Sequence, residues 1–341
     1  SLYPDKPRSA LERYLDSQAI YAQSRLSGYL PLTDFSQQVI QILTQTSGGT
    51  PVRHLHLYGE SGLGKSAFLA HLAQQLEQQN AVVLCHFIGA ESISSPEGWR
   101  DQLMMRFRAQ LEQNANEELN ANKDAWQTFF ELLERYQQHV QRPVYLILDA
   151  LNQMQGLSNL YEHVSALTLP QDVYFISSAI EPYPLDITHN LALPRLHAKD
   201  IEGITQAYLA DYQKTLPADV VALLVDSKAC QNGLFLKTLL EELRLLGRHE
   251  TLLEQAQRLI ALQTPANLFQ QVLQDIDDYQ MQLGRPAGLA KQMMQFIGLS
   301  YRGLTPHQLK QLLTNSTQKA IQDAHLAPIL ARLQTFLLNE Q

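Results

Sequence analysis

The sequence predicts an α/β fold, in which a parallel sheet with flanking helices is followed by two helical domains. Short apolar runs at residues 55–58, 81–88, 144–149 and 173–178 alternate with helical patterns, which is typical of a parallel sheet. From about residue 198 the strand patterns stop and helical patterns alone continue. A chain of 341 residues has room for about two or three domains of ordinary size.

Residues 1–46 are predicted to be an N-terminal helical linker segment. Two helical patterns are separated by a break at Ser27-Gly28-Tyr29-Leu30-Pro31, and Thr33 is the predicted N-cap of the second helix. A loop at residues 46–51 then precedes the first apolar run.

That apolar run leads into Gly59-Glu60-Ser61-Gly62-Leu63-Gly64-Lys65-Ser66, which fits the pattern G-x-x-x-x-G-K-[ST] at every fixed position. Glycines let successive backbone N–H groups approach phosphate oxygens, where a Cβ would crowd the turn. The predicted nucleotide contacts run from Gly59 to Ala67, with the Lys65 ammonium on the β- and γ-phosphates. The Ser66 hydroxyl is predicted to hold Mg²⁺, and the helix that starts at Gly64 adds its positive end.

The surroundings of this motif support the assignment. After the loop, residues 68–76 keep one apolar face, and a second strand is predicted at residues 81–88. Further on, Ser95 and Pro96 are predicted to open a helix, and a long polar helix is predicted from about Glu117 to Val140. With a last strand expected at residues 191–194, the sequence predicts a nucleotide-binding domain over residues 47–196.

Asp149 ends an apolar strand, where a Walker B carboxylate is expected, and it is predicted to hold Mg²⁺ through water opposite Ser66. Asn152 and Gln153 follow it; they can orient a water but are poor bases. Ser178, or its neighbour Ser177, could sense the γ-phosphate from the next strand, although a polar strand end without a role is an equal alternative. The catalytic candidates are therefore Asp149, Asn152, Gln153 and Ser178, and they predict slow turnover.

The C-terminal part is predicted to hold a helical domain over residues 197–264 and a further unit over residues 265–341. Within the second unit, Thr305 and Gln308 form a predicted capping box, with Pro306 at the first helical position. This is a folding signal rather than a chemical one.

Composition limits the classes of function that are compatible with the chain. The net charge of −8 and the absence of a Lys/Arg cluster make a nucleic-acid partner unlikely on electrostatic grounds. No apolar run reaches the ~18–20 residues that cross a bilayer. The two cysteines lie far apart and are expected to be buried or inert thiols. The sequence thus predicts a cytoplasmic protein without a membrane partner.

Several segments, in order, resemble the STAND class of P-loop NTPases, close to NACHT domains and to the branch of telomerase-associated protein and nephrocystin. The matching segments are Leu57-Tyr58-Gly59-Glu60-Ser61-Gly62, Cys85-His86-Phe87-Ile88-Gly89-Ala90, Leu148-Asp149-Ala150-Leu151-Asn152-Gln153, Asn232-Gly233-Leu234-Phe235-Leu236-Lys237, Glu241-Glu242-Leu243-Arg244 and Tyr301-Arg302-Gly303-Leu304-Thr305. They span most of residues 28–313.

The resemblance implies a molecular switch that binds ATP or ADP with Mg²⁺. A helical lid at residues 197–264, approaching the nucleotide near Gly233, and a winged-helix-like domain at residues 265–341 would close over ADP. Exchange for ATP would open the chain and permit self-association, in a larger signalling or defence protein with further domains. The chain departs from the family pattern: the lid proline is replaced at Gly233-Leu234, the acidic pair after Asp149 is Asn152-Gln153, the arginine after the sensor strand is absent at Ser178-Ala179, and the winged helix is expected to be truncated.

Two alternatives remain open at this point. The first is a turnover ATPase of the motor type, for which Glu91, Glu181, Arg135 and Arg195 are candidate base and arginine residues. The second is a DNA-binding regulator that would use basic residues scattered through the winged-helix part: Lys291, Arg302, Lys310, Lys319 and Arg332.

Overall fold

The computed structural model describes residues 8–44, 52–90, 93–111, 124–158, 160, 163, 169–184, 189–246, 251–300 and 303–333. The described residues divide into two compact units, at the junction of Pro194 and Arg195. Among the described residues, no helix combines the length and the apolar character needed to cross a membrane.

The first unit contains five strands and five described helices. The strands are β1 (His54–Tyr58), β2 (Val82–Phe87), β3 (Val144–Asp149), β4 (Val173–Ala179) and β5 (His189–Ala192); the helices are α1 (Ala10–Leu26), α2 (Thr33–Thr44), α3 (Lys65–Gln78), α4 (Pro96–Gln110) and α5 (Ala125–Val140). The predicted α/β fold with a parallel sheet is therefore confirmed.

The sheet has the strand order β2-β3-β4-β1-β5, and all four strand pairs are parallel. Consecutive strands β3 and β4 are neighbours, whereas β1 lies between β4 and β5. Because parallel strands end at the same edge, the residues after β1, β3 and β4 meet there. β4 separates the strand that leads to the phosphate-binding motif from the strand that ends in Asp149.

Apolar side chains cover both faces of the sheet, as expected for continuous apolar strands. One core lies under α4 and α5 and includes Trp99, Phe107 and Phe129. The other lies under α2 and α3 and includes Val39 and Phe68. Helix α1 packs against α3, β2 and α4, so this part of the predicted linker segment lies on the sheet unit.

The second unit is helical throughout its described residues. Its helices are α6 (Ala198–Ala210), α7 (Ala218–Asp226), α8 (Gly233–Leu245), α9 (Leu252–Ile260), α10 (Pro265–Gln282), α11 (Leu289–Leu299), α12 (Pro306–Thr317) and α13 (Asp323–Leu333). The predicted capping box is present, because Thr305 Oγ1 accepts from Gln308 N at 3.2 Å. Buried Asp277 of α10 accepts from Ala290 N at 2.8 Å, at the beginning of α11.

Three sequence predictions of element ends are corrected. Helix α2 begins at Thr33 rather than after it, because the Leu32 carbonyl accepts from Ser36 N at 2.8 Å and makes Leu32 the capping residue. Helix α5 begins at Ala125, because Asp124 has a non-helical backbone and its Oδ1 caps Trp126 N at 3.3 Å. Strand β5 ends at Ala192, before Pro194, which has no N–H for a sheet hydrogen bond.

Some predicted features lie outside the described residues. They are the loop at residues 46–51, residues 117–123 of the polar helix, the candidate base Glu91, and Tyr301-Arg302 of the winged-helix segment.

Candidate nucleotide-binding site

The phosphate-binding motif forms a turn between β1 and α3. Gly59, Gly62 and Gly64 have φ values of 152°, 88° and 98°, which side chains with a Cβ rarely adopt. Gly64 is the N-cap of α3 and has no side chain to satisfy the first helical N–H groups. The turn therefore leaves the first backbone N–H groups of α3 without a side-chain cap, which is the arrangement of helix ends that bind anions in other proteins.

Lys65 and Ser66 stand at the first two positions of α3 and are both partly buried. The Lys65 ammonium donates to the carbonyl oxygens of Gly59, at 2.6 Å, and Glu60, at 3.0 Å. Burial lowers the pKa of Lys65, while the carboxylates of Asp149 and Glu60 oppose that change. The ammonium thus lies over the loop and within the field of the strand-end carboxylate.

Asp149 is buried at the end of β3, with 1% of its surface exposed. Its Oδ1 accepts from Ser178 Oγ at 2.5 Å, and the same hydroxyl oxygen accepts from Ala150 N at 3.0 Å. Asp149 Oδ2 has no hydrogen-bond partner among the described residues. Burial raises the pKa of Asp149, and the hydroxyls of Ser178 and Ser66 act against that rise. An unsatisfied buried carboxylate oxygen is a costly feature that a bound cation would relieve.

The two serines of β4 face different partners, because side chains alternate along a strand. Ser177 Oγ lies 2.8 Å from His56 Nδ1, and His56 Nε2 lies 3.0 Å from the Glu181 carbonyl oxygen. Burial lowers the pKa of His56, so the imidazole is neutral and its Nδ1 accepts from Ser177. The structure therefore brings Ser178, and not Ser177, to the Asp149 carboxylate.

Asn152 and Gln153 lie in a short 3-10 helix, Leu151–Gln153, directly after β3. Both side chains are exposed. Gln153 Oε1 lies 3.8 Å from where a Cβ on Gly89 would stand, at the carboxyl end of β2. The turn after Asp149 thus presents two amides and no carboxylate, as the sequence predicts.

The remaining predicted contacts fall into three environments. Glu60 and Ser61 are exposed, Leu63 is buried in the core under α3, and Ala67 is partly buried in the first turn of that helix. Gly233 belongs to the second unit, where it is the first residue of α8. Its helix is capped by Asn232, whose Oδ1 accepts from Leu234 N at 3.1 Å and from Phe235 N at 3.2 Å.

Sequence reasoning gave helix α1 no part in this site. Yet Gln18 Oε1 accepts from Phe87 N at 2.6 Å, and Tyr14 O–H lies 2.9 Å from His86 Nδ1. Burial lowers the pKa of His86 to about 4, so the ring is neutral and its Nδ1 accepts from Tyr14. These contacts hold α1 against the end of β2, and they make His86 a buried, hydrogen-bonded residue of the core.

The geometry of the turn, the parallel sheet and the strand-end carboxylate together define a P-loop NTPase domain. Residues 36–160 match the family model of the AAA ATPase domain.

Among curated proteins, the chain is similar to a TPR repeat-containing protein of Dictyostelium discoideum. The two are 22% identical over 329 residues, which cover 83% of this chain and 19% of that protein. The chain therefore spans about a fifth of the length of this relative.

Three solved structures share a similar chain trace. A Walker-type ATPase of Pyrococcus abyssi aligns with TM-score 0.48 and 12% identity, over 92% of this chain and 91% of that one. Cdc6p of Pyrobaculum aerophilum aligns with TM-score 0.48 and 13% identity, over 95% and 91%. The ORC1 protein of Aeropyrum pernix, solved in complex with DNA, aligns with TM-score 0.42 and 13% identity, over 92% and 86%.

Proposed function

We propose that the chain is the nucleotide-binding switch core of a larger STAND-class protein and that it binds ADP or ATP with Mg²⁺. The observation that carries the proposal is the unsatisfied Oδ2 of buried Asp149, opposite the loop that bears Lys65 and Ser66. A carboxylate oxygen without a partner at this position could accept from the water shell of a Mg²⁺ ion that a nucleotide brings with it.

The proposed roles follow from the positions of the side chains. Backbone N–H groups from Gly59 to Ala67 surround the phosphates, and Lys65 exchanges its contacts with two loop carbonyl oxygens for phosphate oxygens. Ser66 and Asp149 hold Mg²⁺. Ser178 fixes the Asp149 carboxylate and is placed to respond to the terminal phosphate through that hydrogen bond.

The switch role extends this binding site to the rest of the chain. In the proposal, the domains are the segments 1–46, 47–196, 197–264 and 265–341, with Gly233 on the nucleotide side of a helical lid and a winged-helix-like last domain. The exchange of ADP for ATP changes the balance between a closed and an open arrangement, and the open one self-associates. The much greater length of the Dictyostelium relative supports a core that works with further domains.

Nucleotide binding is tested by replacing the P-loop lysine. We expect Lys65→Ala to weaken the binding of Mg·ADP and Mg·ATP by at least about tenfold, because a charge-assisted contact to phosphate is lost. Isothermal titration calorimetry measures both affinities. Lys319→Ala removes an exposed ammonium from the second unit and serves as the matched control, with unchanged affinities expected. Equal affinities of Lys65→Ala and the parent would refute the site.

Hydrolysis is expected to be slow. The turn after Asp149 offers only the amides of Asn152 and Gln153, which orient a water but do not accept its proton at neutral pH. Steady-state phosphate release should therefore stay well below about 1 s⁻¹. Turnover at or above that rate that is removed by Asp149→Asn would favour the motor-type ATPase instead.

A nucleic-acid partner is not part of the proposal. Two of the five basic residues that could form a DNA-binding surface are engaged in ion pairs: Lys310 with Asp323, at 2.9 Å, and Arg332 with Glu242, at 2.5 Å. Together with the net charge of −8, these pairs leave little positive charge for a phosphate backbone.

A further inference from the structure

We infer that Arg25, in the last turn of α1, is a second cation of the phosphate site and contacts the terminal phosphate of bound ATP. The inference rests on the proposed nucleotide binding and adds to it a residue that distinguishes the triphosphate from the diphosphate. It also gives the N-terminal helix a direct part in sensing the nucleotide.

The path of α1 brings its C-terminal end to the site. Tyr14 contacts His86, and one turn later Gln18 accepts a hydrogen bond from Phe87 N. These are the last two residues of β2, the edge strand of the sheet. The helix therefore crosses the carboxyl end of β2. Ligands of P-loop proteins lie at the carboxyl ends of the sheet strands.

The next turn of α1 approaches the carboxylate. Tyr21 stacks on Phe87, with 5.4 Å between ring centroids and an interplanar angle of 30°. Phe87 is the register partner of Asp149 in the parallel pair of β2 and β3. Neighbouring strands lie about 4.8 Å apart. Tyr21 thus stands one strand away from the carboxylate that is proposed to hold Mg²⁺.

The chain after Arg25 is fixed from the other side, by the helix that begins at the P-loop. Tyr29 lies against His71 of α3, with 5.7 Å between ring centroids. His71 is only six positions after Lys65, within the first two turns of α3. The segment that contains Arg25 therefore runs between the end of β2 and the first two turns of α3.

Arg25 itself is exposed and lies over the Tyr21 ring, with Cζ 4.4 Å from the ring centroid. Among the residues that the structure describes, it forms no hydrogen bond and no ion pair. The guanidinium thus lies over the ring that stacks on Phe87, and Phe87 is the register partner of Asp149.

This placement answers a chemical need of the site. The terminal phosphate carries more charge than Lys65 alone can balance, and P-loop enzymes often add an arginine there. The sequence has no arginine after the sensor strand, where Ser178-Ala179 stands. A guanidinium can contact two phosphate oxygens at once, which a stacked and otherwise unpaired Arg25 is free to do. The competing explanation is a purely structural one, in which Arg25 only complements the negative end of α1.

The two explanations are separated by comparing ligands that differ in one phosphate. Calorimetry with Mg²⁺ gives the affinities of the parent, Arg25→Ala and Arg25→Lys for ADP and for a non-hydrolysable ATP analogue. We expect Arg25→Ala to weaken binding of the analogue by about tenfold and of ADP by less than about twofold. Arg25→Lys should recover part of the loss. Arg13→Ala, which removes an exposed arginine from the same helix, should leave both affinities unchanged.

The other outcomes separate a failure of the Arg25 contact from a failure of the proposed nucleotide binding. Equal weakening of both ligands, or no weakening of either, rules out a contact with the terminal phosphate. A lower thermal midpoint of Arg25→Ala together with unchanged affinities supports the helix-end explanation instead. If the parent binds neither ligand, the proposed function and this inference both fail. If the parent binds both ligands and Lys65→Ala does not, the site stands and Arg25 alone is judged by its own variants.

Discussion

Asp149→Asn is expected to raise the thermal midpoint of the nucleotide-free protein at pH 7 while it removes the Mg²⁺ dependence of nucleotide binding. The reason is the buried carboxylate, one oxygen of which has no partner among the described residues. Burial raises the pKa of Asp149 above its unfolded value, so the folded state is destabilised once the group is ionised. An amide keeps the Ser178 contact without the charge.

The sign of the pH dependence follows from the same shift. Because the folded pKa is the higher one, the native state binds more protons than the unfolded state between the two values. Stability contributed by the protonated group is therefore lost as pH rises through the folded pKa of Asp149. The advantage of Asp149→Asn over the parent should be largest above that pKa and should shrink as the pH is lowered toward about 4.

Tryptophan fluorescence provides the readout for this prediction. Both tryptophans of the chain, Trp99 and Trp126, are buried in the core under α4 and α5, so their emission reports unfolding of the first unit. Each kcal/mol of added stability raises the midpoint by about 2–4 °C in a unit of this size. Glu134→Gln changes an exposed carboxylate of α5, in the same unit as both tryptophans, and is the control. A midpoint of Asp149→Asn that lies below that of the parent at pH 7 would show that the carboxylate is stabilising without its cation.

The strands and the P-loop could be predicted because their signals are local. An apolar run such as Val144–Asp149 is a strand buried on both faces whatever its neighbours are, and the spacing of Gly59, Gly64 and Lys65 defines the turn by itself. Errors arose where a single hydrogen bond decides an element end. The Leu32 carbonyl, and not the Thr33 side chain, begins α2, and no composition signal distinguishes these two arrangements.

The surroundings of Asp149 could not be predicted, because they depend on strand order. Ser177 and Ser178 are equivalent in the sequence, and only the position of β4 between β1 and β3 directs Ser178 to the carboxylate and Ser177 to His56. Helix α1 is the clearer case. Its weakly amphipathic sequence gives no hint that Tyr21 stacks on Phe87 and that Arg25 comes near the site. These contacts join segments that are distant in the sequence, so no local sequence pattern predicts them.

In the second unit, Arg332→Ala is expected to lower the free energy of unfolding more than the other substitutions of exposed or partly exposed side chains that are suggested for this protein. Arg332 of α13 pairs with Glu242 of α8, 90 residues away, at 2.5 Å. The Glu242 side chain is only 7% exposed, whereas Arg332 is 31% exposed. Truncating the arginine leaves a buried carboxylate without its partner. Because Arg332 is partly exposed, we expect a loss of about 2–3 kcal/mol, at or below the lower end of the range of costs for removing one partner of a fully buried ion pair.

The loss should depend on pH in a direction that the buried carboxylate fixes. Burial raises the pKa of Glu242 even beside Arg332, and Asp275 and Glu241 add to the rise. Without the arginine the pKa of Glu242 rises further. At a pH above this pKa the ionised carboxylate destabilises the folded state, and at a pH below it the protonated group does not. The difference in stability between the parent and Arg332→Ala should therefore be larger at pH 8 than at pH 5.

Chemical denaturation followed by circular dichroism measures the free energy of unfolding. Hydrogen exchange of peptides from α8 and α13 shows whether the loss is located at these two helices. Arg258→Ala, which breaks an exposed pair with Asp275 at 3.1 Å, is the matched control and should cost less than about 1 kcal/mol. The double variant Arg332→Ala with Glu242→Gln should recover more than half of the loss, since the unpaired charge is gone. If the double variant is no more stable than Arg332→Ala, the cost comes from lost packing of the arginine side chain, and the buried charge of Glu242 is not what holds α8 and α13 together.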